Sequence, residues 1–150
     1  IPFQMSSVEF FTEVYEHLAP GGVMVVNMSM RSESEGSMNE YLMDTIRSVF
    51  PHCYAVRVSG GTNMELFASA DEGALARFES RRGALPEDYA AIMQRVSGDM
   101  FTVEGGEHIL TDDKAPVELL GMEVLDEIIG AELDALRDQI REDGIMSLLK

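Results

Sequence analysis

Tryptophan is absent and cysteine occurs once, at Cys53. One thiol cannot close an intramolecular disulfide or supply a thiolate cluster, which excludes a disulfide scaffold and a cysteine-rich zinc module. A reducing, cytoplasmic setting is the simplest expectation. Cationic side chains are scarce: 11 Lys and Arg stand against 27 Asp and Glu, a formal net charge of −16. Such a surface repels phosphate backbones, so nucleic acid is not an expected partner, whereas a small cation would be attracted. The same carboxylates also read simply as a solvated surface. No apolar run approaches the ~20 residues needed to span a bilayer, and no basic stretch leads into an apolar one as in a signal peptide. Glycine-rich phosphate or nucleoside loops are missing, since Gly60-Gly61 and Gly105-Gly106 are isolated pairs. A Gly-x-Ser-x-Gly nucleophile turn is missing too, which leaves Ser29, Ser59 and Ser69 without a catalytic motif. His17, His52 and His108 lack the spacing of metal ligands, and no metal is expected.

What is present suits one globular domain. The chain has 150 residues, 45% of them hydrophobic, enough for a core without staples. The 11 methionines read as core fillers. Because the first residue is Ile1 and not Met, the sequence reads as a piece of a longer protein. Ser6-Ser7-Val8-Glu9 fits a helix-start capping box, followed by Val8, Phe11, Tyr15 and Leu18 at helical spacing. Pro20-Gly21-Gly22 stops that helix. Val23–Met28 is short, Val-rich and apolar on both faces, the pattern of a central strand covered by helices. After a polar loop over 31–36, Ser37-Met38-Asn39-Glu40 is a second capping box, and Tyr41, Leu42, Thr45, Ile46 and Val49 give a helix its inner face.

Two further strands, Cys53–Val58 and Met64–Ser69, flank a glycine-bearing loop and predict an antiparallel hairpin. Asp71 can cap a helix carrying Leu75, Ala76 and Phe78, and Pro86 suits the first turn of another. Residues 98–109 read as irregular. From Ala115 the pattern is helical to Ile140, in one helix or two because Gly121 and Gly130 interrupt it. The order predicts an α/β domain with a three-stranded mixed sheet: two parallel strands joined by a right-handed crossover, plus an antiparallel last strand. Residues 1–110 would form the partial α/β domain and 111–150 its C-terminal helical segment.

The residues carry a resemblance beyond this order. Glu9-Phe10-Phe11 with Leu18-Ala19-Pro20-Gly21-Gly22-Val23 resembles the stretch of spermidine synthases in which a helix leads into the fifth strand. Ser59 to Ser69 sits where those enzymes carry a hairpin, although their tryptophan is missing. Ile109-Leu110-Thr111-Asp112-Asp113-Lys114-Ala115-Pro116-Val117-Glu118 resembles a segment of bacterial spermidine-synthase-like proteins. The likeness covers roughly residues 1–120. It implies the C-terminal half of a Rossmann-like, class I methyltransferase-type fold, without the N-terminal half that binds cofactor.

Such enzymes transfer an aminopropyl group from decarboxylated S-adenosylmethionine to a polyamine, and relatives of the fold move a methyl group from S-adenosylmethionine. The resemblance implies that the parent binds one of these cofactors, that the catalytic aspartate loop precedes Ile1, and that this chain alone binds none and is inactive. A non-catalytic domain kept for assembly or ligand sensing is the alternative. Candidate substrate-wall residues are Gln4, Asn27, Asp112, Asp113 and Glu118. For Asn27, service to loop backbone is equally open. For Asp112, Asp113 and Glu118, a helix-start role is open beside an amine-binding one. A strand left without its usual neighbour at Val23–Met28 would recruit another chain, so a homodimer is expected.

Overall fold

The computed structural model describes residues 3–28, 35–58 and 63–143. It divides into two compact units, Ile1–Val117 and Glu118–Lys150. In the first, a 3-10 turn (Phe3–Met5) leads into α1 (Val8–His17), β1 (Val23–Met28), α2 (Met38–Val49), β2 (His52–Arg57), β3 (Met64–Ser69), α3 (Ala74–Arg82), α4 (Glu87–Asp99) and β4 (Met100–Thr102). The second is helical: α5 runs from Val117 to Asp143.

The strands form one sheet in the order β1-β3-β2-β4, and every ladder is antiparallel. This corrects the three-stranded mixed sheet. β1 and β2 both run against β3 and so point the same way, but β3 lies between them and no parallel ladder forms. The fourth strand, Met100–Thr102, falls in the stretch read as irregular. Three residues are too few to show alternation, and pairing with Tyr54–Val56 makes the strand. β1 is an edge strand, with Val23 46% and Val25 55% exposed; this is the apolar edge expected of a strand without its usual neighbour, while the cover on both faces expected from its composition is incomplete.

Local chemistry explains the element ends, with some shifts of one residue. The N-cap of α1 is Ser7, not Ser6; its hydroxyl accepts from the amide of Phe10 at 3.3 Å. Ser37 caps α2 through the Glu40 amide, while the Glu40 carboxylate accepts from the Gly36 amide. Ala19 to Gly22 is a tight turn closed by Gly22 N–H donating to the Ala19 carbonyl at 2.8 Å. Gly21 stands there at φ 74°, the left-handed region that favours glycine after Pro20. The Asp71 side chain does not cap α3. It accepts from the Gly73 amide at 2.7 Å one turn earlier, and Gly73 holds the cap position. Gly121 and Gly130 do not break α5, which is continuous over 27 residues. The loop expected at 59–63 lies largely outside the described residues, but the hairpin it joins is present, closed by Val58 N–H donating to Asn63.

The core lies on one face of the sheet. Cys53, Ala55, Leu66 and Ala68 share that face by register and are all at or below 1% exposure. Against them stand the buried side chains of α1 and α2, chiefly Phe11, Leu42, Ile46 and the following Phe50. Tyr15 packs edge-on to Phe50 at 5.3 Å. Burial raises the Cys53 thiol to about 11, only partly offset by Arg47, so this sulfur is a packing group rather than a nucleophile.

Candidate active-site wall at the carboxyl end of β1

The turn at Pro20–Gly22 folds α1 back along β1, so the start of α1 lies at the carboxyl end of that strand. α2 begins after β1 and therefore starts at the same end. Here three pieces of chain distant in sequence are tied together.

The tie is the segment 107–114. Its Leu110 carbonyl accepts from the Val8 amide at 2.8 Å. The Leu110 amide, fully buried, donates to Thr45 Oγ1 at 2.9 Å, and that hydroxyl donates in turn to the Tyr41 carbonyl at 2.7 Å. The His108 amide donates to Asp44 Oδ2 at 3.0 Å. Thr111 and Lys114 close a small turn through two backbone bonds, 3.1 and 2.9 Å. The tip of this turn reaches α1: the Ser7 hydroxyl donates to Asp112 Oδ1, and the Asp112 amide donates to Glu9 Oε2 at 3.0 Å. Glu9 therefore serves the turn rather than its own helix cap. Ser7 uses its hydroxyl both ways, accepting from Phe10 while donating to Asp112.

The expected site residues fall as follows. Gln4 is exposed on the 3-10 turn just before Ser6 and Ser7. Asp112 and Asp113 are exposed on the Thr111–Lys114 turn, Asp112 engaged by Ser7 and Glu9. Asn27 is exposed near the end of β1, opposite Glu65 in the ladder. Gln4, Asp112 and Asp113 gather about the start of α1, whereas Asn27 stands near the end of β1 and, among the described residues, no hydrogen bond joins it to them. Glu118 opens the second unit, and its side chain lies outside the described set.

A group that the sequence reading missed sits beside them. His108 Nδ1 lies 3.4 Å from Asp44 and 3.8 Å from Glu40, and its ring tilts over Tyr41 at 4.6 Å. Asp44 is 5% exposed. A side chain at Gly106 would collide with the Asp44 carboxylate, so glycine there admits the close approach. Glu40 and Asp44 stand four apart on one helical face, a signal readable in sequence. His108 is 64 residues from Asp44 and gives no such signal. Among the described residues, no group of three or more His, Cys, Asp or Glu side chains could hold a metal.

The wall is thus acidic, carrying Glu9, Glu40, Asp44, Asp112 and Asp113, with Tyr41 and His108 as its ring surfaces. It can draw in and orient an ammonium group. The opposite face of the sheet offers a cavity of about 150 Å³ bounded by Val23, Phe67, Leu75, Phe78 and Met100; its lining is almost wholly apolar and does not suit an amine. No described helix is long and apolar enough to cross a membrane.

No protein-family model matches the chain. Along its whole length it is similar to a protein of Bifidobacterium longum (strain NCC 2705) named "Probable polyamine aminopropyl transferase", at 43% identity over an alignment of 170 positions. The chain spans 38% of that relative's length. The resemblance to spermidine-synthase-like proteins drawn from the residue motifs is therefore shown by a curated relative, over all of this chain and part of that one.

Proposed function

We propose that this chain is the carboxyl-terminal portion of a spermidine-synthase-like aminopropyl transferase, supplying one wall of a polyamine site and no catalytic group of its own. The match to a protein named "Probable polyamine aminopropyl transferase", which covers the whole of this chain, carries the reading. Two features of the fold support it. The carboxyl end of β1 is lined by carboxylates suited to a polycation. β1 itself presents an apolar edge, with exposed Val23 and Val25, on which the sheet of a longer protein can continue.

Among the described residues, none forms a glycine-rich cradle for a nucleoside-type cofactor, which supports a chain that holds none. The described glycine pair, Gly105-Gly106, packs on Arg47 and Asp44 instead of opening a cradle. S-adenosylmethionine or its decarboxylated form would be held by other parts of the longer protein. This chain's own share is to bind and align the amine through Asp113, Asp112 and Gln4, with Asn27 alongside. Asp112 does this while held by Ser7, which fixes the carboxylate in place.

Calorimetric titration of the isolated chain with decarboxylated S-adenosylmethionine is expected to show no micromolar binding, and the chain no aminopropyl transfer. In a longer protein containing this segment, Asp113→Asn is expected to lower kcat/KM for the polyamine by about two- to fivefold, the range for one exposed charge on a cation. Tight cofactor binding by the chain alone, or methyl transfer in place of aminopropyl transfer by the longer protein, overturns the reading.

A further inference from the structure

α5 comprises 27 residues, about 40 Å at the rise of an α-helix. Its large exposed side chains are not scattered. Met122, Leu125, Ile129, Leu133 and Leu136 are between 39% and 59% exposed, and their spacings of three, four, four and three residues keep them on one stripe. The average spacing of 3.5 residues drifts by only about 20° per heptad on a straight helix, so over these two heptads the stripe stays on one face, and slight left-handed supercoiling of a pair would hold it in line. Soluble chains seldom leave a continuous apolar stripe uncovered, and most helix stability comes from packing such a face.

From Met122 to Leu136 the spacing reads the same in both directions from Ile129; Leu119, 64% exposed, extends the stripe at its start and would face the partner's Gln139. Met122 and Leu136 lie seven residues to either side, Leu125 and Leu133 four. A two-fold axis through Ile129 would therefore set Met122 against the partner's Leu136, Leu125 against the partner's Leu133, and Ile129 against its own copy, which is an isologous contact. The charges choose the direction. Residues 117–134 carry six acids and no base, while both bases of α5, Arg137 and Arg141, lie beyond them. Arg137 bonds Asp134 at 3.1 Å and Arg141 approaches Asp138 at 3.4 Å, but these pairs are exposed and leave guanidinium donors over. Parallel pairing would lay acid on acid and align the helix dipoles. Antiparallel pairing lays the arginines over the partner's acid run and opposes the dipoles.

We propose that the apolar stripe of α5 is a self-association surface, pairing antiparallel with α5 of a second copy about Ile129. The assignment is independent of the aminopropyl transfer reading. Sedimentation of the 150-residue chain is expected to show a concentration-dependent dimer. Ile129→Asp, which puts two carboxylates on the two-fold axis, is expected to weaken the dimer about tenfold or more while circular dichroism shows helix content retained. Oxidative cross-linking fixes the direction. Ile129→Cys is expected to cross-link to its own copy, Met122→Cys is not, and a mixture of Met122→Cys with Leu136→Cys is. Self-cross-linking of Met122→Cys would mean parallel helices and overturn the proposal. So would a clean monomer at about 1 mM, which would mean that the stripe packs elsewhere.

Discussion

On one face of the sheet, Phe11, Leu42, Ile46 and Phe50 close over Cys53, Ala55, Leu66 and Ala68, and none of the eight exceeds 2% exposure. On the other, α3 and α4 bury no residue outright and leave a cavity of about 150 Å³ against Phe67 and Phe78. Both faces of the strands are apolar, so composition alone does not separate them. The difference is in what ties the covering helices down. α2 is hooked to a third piece of chain by the buried Leu110 amide and the part-buried His108 amide, and α1 by its Val8 amide donating to the Leu110 carbonyl. α3 and α4 are joined to each other by one part-buried bond, Ser97 to Glu79, and one exposed bond, Arg82 to Gln94, with no buried bond to a third segment among the described residues. The closed face holds the acidic wall in place; the open face has room to vary.

The sharpest way to break this contrast is a pair of equal truncations. Phe50→Ala on the closed face is expected to cost about 3–5 kcal/mol in urea unfolding, because a fully buried ring leaves a cavity that close packing cannot refill. Phe67→Ala on the open face already borders space and is expected to cost no more than about half of that. Equal losses would mean the two faces are packed alike.

A smaller effect tests the hook. Thr45→Val keeps the side-chain shape but strands the buried Leu110 amide, whose hydrogen bond goes to Thr45 Oγ1. A loss of about 1–3 kcal/mol is expected, the range for an unsatisfied buried donor. Faster hydrogen exchange should appear in 107–114 and at the start of α1, and not in α3 or α4. If protection falls evenly over the chain, the segment is not a local tie.

Much of this was legible beforehand, and the failures have physical causes. Capping chemistry and apolar periodicity marked α1, α2, β1 and the β2–β3 hairpin, since each rests on neighbours in sequence. Met100–Thr102 was missed because a three-residue strand exists only by its partner. Ser6 and Ser7 both offer a hydroxyl as the cap of α1, and in the fold Ser7 takes that place while also bonding Asp112, 105 residues away. The same holds for the wall: Asp112 and Asp113 stood out as a motif, whereas Asp44 and His108 meet only in the fold. Gly106 carried no sequence signal of its role, because a close approach to Asp44 is a property of two chain segments at once.

The smallest expected effect belongs to the open face. Asp71 bonds Arg77 at 3.0 Å and accepts from the Gly73 amide, and these hold its carboxyl below the usual carboxylate value. A carboxyl depressed on folding stabilises the folded state above its unfolded pKa of about 3.9. That contribution is lost as pH falls through the lower, folded value. The pair is exposed and therefore screened, so the effect is small and should shrink further in high salt. Urea unfolding of the parent chain and Asp71→Asn between pH 7 and pH 2 is the measurement. The two should differ by a constant amount down to about pH 4 and converge below it. A gap that widens on acidification would mean that Arg77 does not stabilise the charged carboxylate, and that α3 is held to the sheet by its apolar side chains alone.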